Sequence, residues 1–162
     1  MQDDKVLRQE LLALLRGGNA HLSFEGAVAG FPLKEINRRL PQASYTVWHL
    51  LEHTRIAQWD ILEFVRNPQH VSPPFPAGYW PKPDETASAA QWRKTIKDFH
   101  TDLQGMEELV GNPRTDFFHP LPHAQDYTVL REVLLAADHN AYHIAELVTL
   151  RRVLDMKPIK EY

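Results

Sequence analysis

At 162 residues the chain has the length of one ordinary domain, long enough to bury about two thirds of its unfolded surface around a single core. Its 18 Lys plus Arg against 21 Asp plus Glu leave a formal charge of -3, and the basic residues are scattered, which excludes a phosphate-tracking surface and nucleic acid as a partner. Cysteine is absent, which excludes disulfides, zinc-thiolate sites, iron–sulfur clusters and thiolate nucleophiles together, so any metal must be held by His, Asp or Glu.

The opening MQDDKVLRQELLALL is acidic and amphipathic, unlike the basic start and apolar run of a secretory leader. No stretch approaches the ~18 uninterrupted apolar residues of a membrane span. The expectation is a cytoplasmic protein with no membrane partner, folded as a single domain over residues 1–162.

Apolar residues recur at helical spacing with no competing period-2 pattern, so the chain reads as all-α. A first helix is predicted from about Asp3 to Arg16, stopped by the breaker pair Gly17 and Gly18. A short helical piece follows in SFEGAVAG, capped by Ser23 and ended by Gly30 and Pro32. Ser44 or Thr46 caps a long second helix, YTVWHLLEHTRIAQWDILEFVRN, which must end before Pro68.

Residues 68–83, PQHVSPPFPAGYWPKP, hold six of the twelve prolines and can be neither helix nor central strand. Phe75, Tyr79 and Trp80 predict that this loop packs across one end of the domain, with a substrate-contacting lid the alternative. A third helix is expected from about Glu85 to Val110, where Trp92, Ile96, Phe99, Leu103, Met106 and Val110 alternate steps of four and three, the spacing of a bundle seam. TDFFHPLPHAQD bridges to a last helix from about Thr128 to Asp155. Several long amphipathic helices joined by long turns imply a four-helix bundle with long connecting loops.

The nine histidines form three pairs spaced i, i+4, where chance would place about half of one: His49 and His53, His119 and His123, His139 and His143. Two prolines between His119 and His123 forbid the helix that would bring those rings together. The other pairs lie on helices, where i and i+4 side chains share a face and can chelate one ion. With about 100° per residue and His139 at 0°, His143, Ala136, Leu147, Leu150 and Leu154 all fall between about 20° and 80°, so both histidines point into the apolar stripe. On the second helix His53 borders the buried arc. His49 falls further out, beside Asp60, and is predicted to be a surface or second-shell residue.

Three imidazoles from two helices make a site that accepts Zn²⁺, Ni²⁺, Fe²⁺ or Mn²⁺ and keeps a coordination position open. A metal there acidifies its bound water, and Glu52, Asp60, Asp138 or Glu146 is a candidate to orient a ligand or move a proton, with Glu146 nearest the ligand face. The Glu-x-x-His repeats of a di-iron bundle, the zincin motif, the Walker loop and the nucleophile elbow are all absent.

The histidine within VWHLLEHTRIAQWDIL, joined to a distant ADHNAYHIAELVTLRR, resembles the DinB/YfiT-like superfamily of metal-binding four-helix bundles. GGNAHLSFEGAV, GYWP and FFHPLPHAQDYTVLRE extend the likeness over most of the chain. Carried over by position, the family's motif of one histidine on the second helix and a His-x-x-x-His pair on the last makes His53, His139 and His143 the ligands, and gives His49 no support. The resemblance further implies a thiol-dependent reaction, since characterised relatives include transferases and an isomerase that use low-molecular-weight thiols.

His21, His49, His119, His123 and Tyr142 are candidates to line the pocket, and Tyr45 to hydrogen-bond a ligand. Trp48 and Trp59 fall on the outer flank of the second helix, which points to a further packing partner, the first helix or another subunit, and hence to a homodimer. Arg151 and Arg152 suit the negative end of the last helix dipole and need no functional role. Together these features predict a metal-dependent enzyme acting on a small molecule, a thiol-dependent transferase first and a metal-water hydrolase second. The competing class is a non-catalytic dimeric binding or stress-response module.

Overall fold

The computed structural model describes residues 2–39 and 43–154. The expected helix end at Asp155 lies outside them. Among the described residues five α-helices run in the order α1 (Gln2–Arg16), α2 (Phe24–Val28), α3 (Val47–Arg66), α4 (Ala89–Gly111) and α5 (Val129–Val153). A three-residue 3-10 turn (Ala77–Tyr79) precedes α4, and strands β1 (Pro120–Leu121) and β2 (Ala124–Thr128) precede α5.

The helix ends follow local chemistry. Ser23, Thr46, Ser88 and Thr128 each accept a backbone N–H of the following first turn, relieving donors that have no partner inside a helix. Of the two candidate caps for α3 it is Thr46 that serves. α4 begins four residues later than the apolar spacing predicted. Ser88 and Gln91 form a capping box, while Ala87 pairs both its N–H and its C=O with the Asn37 amide, at 2.8 Å each, and cannot join the helix.

α3 packs between α4 and α5, and α1 closes the other side of the bundle against the same two helices. The core is built from the stripes expected of such an arrangement, including Leu50, Leu51 and Leu62 of α3, Phe99, Met106 and Val110 of α4, and Val133 and Leu147 of α5. Phe24 of the short α2 stacks on Phe99 with ring centroids 3.7 Å apart.

Three expectations are corrected by this packing. The bridge before α5 contains a small antiparallel hairpin of β1 and β2, too short on the β1 side to leave a period-2 signal. The flank of Trp48 is covered from within the chain by α4: Trp48 is buried and its Nε1 donates to Thr95 Oγ1 at 3.4 Å. Trp59 meets the His70 ring edge-on at 5.2 Å, so the segment after α3 shields it. Arg151 is buried, and its Nη1 donates to the carbonyls of Ala27 and Ala29 at 3.2 and 2.9 Å, fastening the end of α2 to α5. It acts on another helix's carbonyls rather than on its own helix dipole.

Of the loop aromatics, Tyr79 and Trp80 pack onto the bundle, whereas Phe75 is 87% exposed. No helix among the described residues is long and apolar enough to cross a membrane.

Candidate metal centre

Helix periodicity places His53 on the inward side of α3 and His139 and His143 on that of α5, and the α3–α5 contact brings the three rings together. His143 Nε2 lies 3.2 Å from both His53 Nε2 and His139 Nε2, and one ligand atom from each ring fits within 4.8 Å of the others. His53 and His143 are buried and His139 is half-buried.

The hydrogen bonds behind the rings fix which nitrogens carry protons. His53 Nδ1 faces the Tyr79 carbonyl at 2.9 Å, and a carbonyl can only accept, so Nδ1 holds the hydrogen and Nε2 is a bare lone pair. His143 Nδ1 faces Glu146 Oε2 at 2.5 Å, while the other oxygen of Glu146 accepts the Tyr45 hydroxyl at 2.8 Å. A carboxylate engaged by two donors leaves His143, too, with its hydrogen on Nδ1 and a bare Nε2. Two lone pairs therefore point at each other across 3.2 Å, an arrangement that repels unless a cation sits between them. That spacing is what two nitrogens roughly 2.1 Å from one ion subtend at roughly 100°. The donor set thus fits a divalent metal.

Burial keeps the His53 and His139 rings neutral. His139 is pushed down to about 3, first by burial and then by the neighbouring His143 and His53 rings. Burial also lowers His53, partly offset by the Tyr79 carbonyl. Neutral imidazole is the form that ligates. His139 Nδ1 is buried without a hydrogen-bond partner, so its tautomer is the one that nothing on the protein side dictates.

Trp80 lies flat on the His53 ring, with centroids 3.9 Å apart and planes at 3°, and Tyr45 meets Trp80 at 5.4 Å. Neither Trp80 nor the Tyr79 carbonyl was found from the sequence; the GYWP string marked the place but not the contact. Behind α5, Asn140 Nδ2 donates to Gln58 Oε1 at 2.7 Å and Gln58 Nε2 to the Phe99 carbonyl at 2.8 Å, a buried polar link that braces α5, α3 and α4 one residue from His139.

The remaining candidates separate clearly. His49, expected toward the polar side, is only 2% exposed. It sits at the third position of α3, where its Nδ1 accepts the Thr46 N–H at 3.2 Å and its Nε2 donates to the Glu85 carbonyl at 2.9 Å. Both its nitrogens are thus committed to the helix start and the loop before α4. His21 lines a cleft of about 550 Å³ between the α1–α2 turn and α5, whose lining includes none of the clustered histidines. His119 is exposed and paired with Asp116 at 2.5 Å, and His123 Nε2 donates to the Phe64 carbonyl at 2.7 Å, so neither joins the cluster. Tyr142 does stand beside it: 64% exposed, its ring meets His143 edge-on at 4.8 Å, and with Tyr45 and Glu146 it lines a hollow of about 280 Å³.

Among the four carboxylates, Glu146 stands behind a clustered histidine, against His143 Nδ1. Glu52 is bound to Arg55 and to the Thr95 hydroxyl, at 2.6 Å each. Asp60 accepts the Tyr79 hydroxyl and the His70 ring. Tyr79 is correspondingly raised to about 12, by burial first and by Asp60 next, and stays a donor. Asp138 is exposed on α5.

A helical bundle with three histidines converging from two of its helices defines the class: a bundle whose histidine cluster could hold a metal ion. The sequence profile of the DinB superfamily matches residues 19–147, and the chain belongs to that superfamily. No curated protein and no solved structure gives a significant match.

Proposed function

We propose that His53, His139 and His143 hold a divalent metal ion, Zn²⁺, Ni²⁺, Fe²⁺ or Mn²⁺, and that the chain is a metal-dependent enzyme whose best-supported reaction is a thiol-dependent transfer onto a small molecule. The observation that carries this reading is the pair of bare Nε2 lone pairs set face to face by Tyr79 and Glu146. A protein spends two tautomer-fixing contacts on such a pair when a cation joins them. When bound, a divalent ion supplies Lewis acidity, which lowers the pKa of a coordinated thiol or water and polarises an electrophile.

The protein's own groups set the rest. Glu146 holds the His143 tautomer, and Tyr45 completes the hydrogen bonding of that carboxylate. Trp80 covers one face of His53 and excludes water there. The choice between a thiol and water as nucleophile rests on the carboxylates. A hydrolase needs a base for the second proton of water. Yet Glu52, Asp60 and Glu146 are all committed to other partners, and Asp138 is exposed. A thiol is acidic enough to be deprotonated by coordination alone. With no cysteine in the chain, that thiol must arrive as a small molecule.

Metal content of protein purified without a chelating tag tests the reading. A near-stoichiometric divalent metal, or full reconstitution by one of the four ions, is expected. Protein that neither carries nor takes up any of them refutes it.

A further inference from the structure

Asp60 lies about two turns beyond His53 on α3 and is buried, a position that strips an ionised carboxylate of water unless donors replace it. Two donors do, and both come from the connection between α3 and α4. The Tyr79 hydroxyl donates to Oδ2 at 2.5 Å and His70 Nε2 to Oδ1 at 2.7 Å. One carboxylate therefore fastens this connection at two points nine residues apart. The fastening bears on the histidine cluster directly: the same Tyr79 whose side chain reaches Asp60 presents its carbonyl to His53 Nδ1, and the next residue, Trp80, is the one stacked on the His53 ring. Proline supplies no backbone N–H, and apart from the turn at Ala77–Tyr79 the connection has no regular secondary structure. Side-chain anchors must then set where its Tyr79 carbonyl stands.

We propose that Asp60 is a positioning residue of the metal centre, acting through the Tyr79–Trp80 strap to hold His53 in the Nδ1–H tautomer with its Nε2 aimed at the other two rings. The inference rests on reading the cluster as a metal centre. Asp60 touches neither the ligand nitrogens nor the open side of the site, so its effect passes entirely through the strap. The two oxygens are needed for different donors, which makes asparagine a telling replacement: its amide offers one acceptor and turns two donors toward one of the strap's own.

The experiment uses the full chain, with Asp60→Asn and Tyr79→Phe compared with the unaltered protein. Zn²⁺ alone is the probe, its affinity measured by competition with a chromophoric chelator, and long-range ¹H–¹⁵N spectra of the metal-free protein read the His53 tautomer. The expected result is about tenfold weaker Zn²⁺ binding for Asp60→Asn and a severalfold loss for Tyr79→Phe, the scale of contacts behind a ligand. The His53 ring should pass from a single Nδ1–H tautomer to a mixture in both variants. A purely structural role lowers the unfolding temperature while leaving affinity and tautomer of the folded variants untouched, and that outcome overturns the proposal. If the unaltered protein binds no Zn²⁺, Ni²⁺, Fe²⁺ or Mn²⁺, the metal reading fails by itself. The strap is then judged on the tautomer: a mixture in the variants upholds it, and an unchanged ring overturns it. Should Asp60→Asn not fold, Tyr79→Phe, which deletes one hydroxyl, carries both readouts.

Discussion

Replacing His49 with alanine separates the two histidines of HLLEH by the kind of damage each causes. His49 is 2% exposed, accepts the Thr46 N–H and donates to the Glu85 carbonyl. The alanine variant removes the reciprocal half of the capping box and so leaves the Thr46 N–H buried without its partner, about 1–2 kcal/mol, and it loses the bond to the Glu85 carbonyl, about 1 kcal/mol more. A loss of roughly 2–3 kcal/mol corresponds to a fall of roughly 5–10 °C in unfolding temperature for a domain of this length. His49→Gln keeps an acceptor within reach of the Thr46 N–H, as glutamine does at this position of a capping box, and should recover about half of the loss. Thermal and urea unfolding of metal-free protein measure the first effect, and a Zn²⁺ titration of the same variants well below their unfolding temperatures measures the second. Affinity should stay within a few-fold of the unaltered protein, because neither His49 nitrogen is free to ligate. A His49→Ala protein of normal stability that has lost metal binding would refute this assignment of roles.

His53→Ala and His143→Ala should abolish stoichiometric metal binding while leaving a helical, folded chain, checked by metal analysis beside circular dichroism; retained metal in either variant removes that histidine from the ligand set. Glu146→Gln removes the acceptor that sets the His143 tautomer, and Zn²⁺ affinity should fall about 10–100-fold, with Tyr45→Phe, one contact further out, costing less in the same titration. Asp102 of α4 is raised from 3.8 to about 6, chiefly by burial, so the folded state binds the extra proton. The stability tied to that proton is present below about pH 3.8 and lost as pH rises through about 6. Asp102→Asn should therefore stabilise the protein by about 2 kcal/mol at pH 7.5, with the gain vanishing near pH 4 in urea unfolding series.

The sequence made the bundle and the convergence of the three histidines legible for one reason: both are consequences of helical periodicity, which is local. The seam of α4, the stops at Gly17 and Pro68, and the inward side of α5 all follow from residue types a few positions apart. His49 shows where that reasoning ends. At the first turn of a helix the wheel angle does not decide burial, because the preceding cap and an incoming loop cover the side chain from above. The information that places it is Glu85, thirty-six residues away. The same holds for Trp48, buried by Thr95, for Arg151, buried by the end of α2, and for the Tyr79 carbonyl and Trp80, whose contact with His53 belongs to the proline-rich connection and to no periodic pattern.

The three clustered rings are not equivalent, and their differences assign different work to each. His143 is backed by a carboxylate, which fixes its tautomer and holds its ring from within α5. His53 is backed by a neutral carbonyl on a segment outside the helices, so its orientation depends on how that segment is held. His139 has no acceptor behind Nδ1, and burial disfavours its charged form most strongly. A site built this way is rigid on the α5 side at His143 and adjustable on the strap side at His53. The strap is also where Trp80 covers the cluster, and Tyr45, which meets Trp80, links it to the hollow bordered by Tyr142 and Glu146.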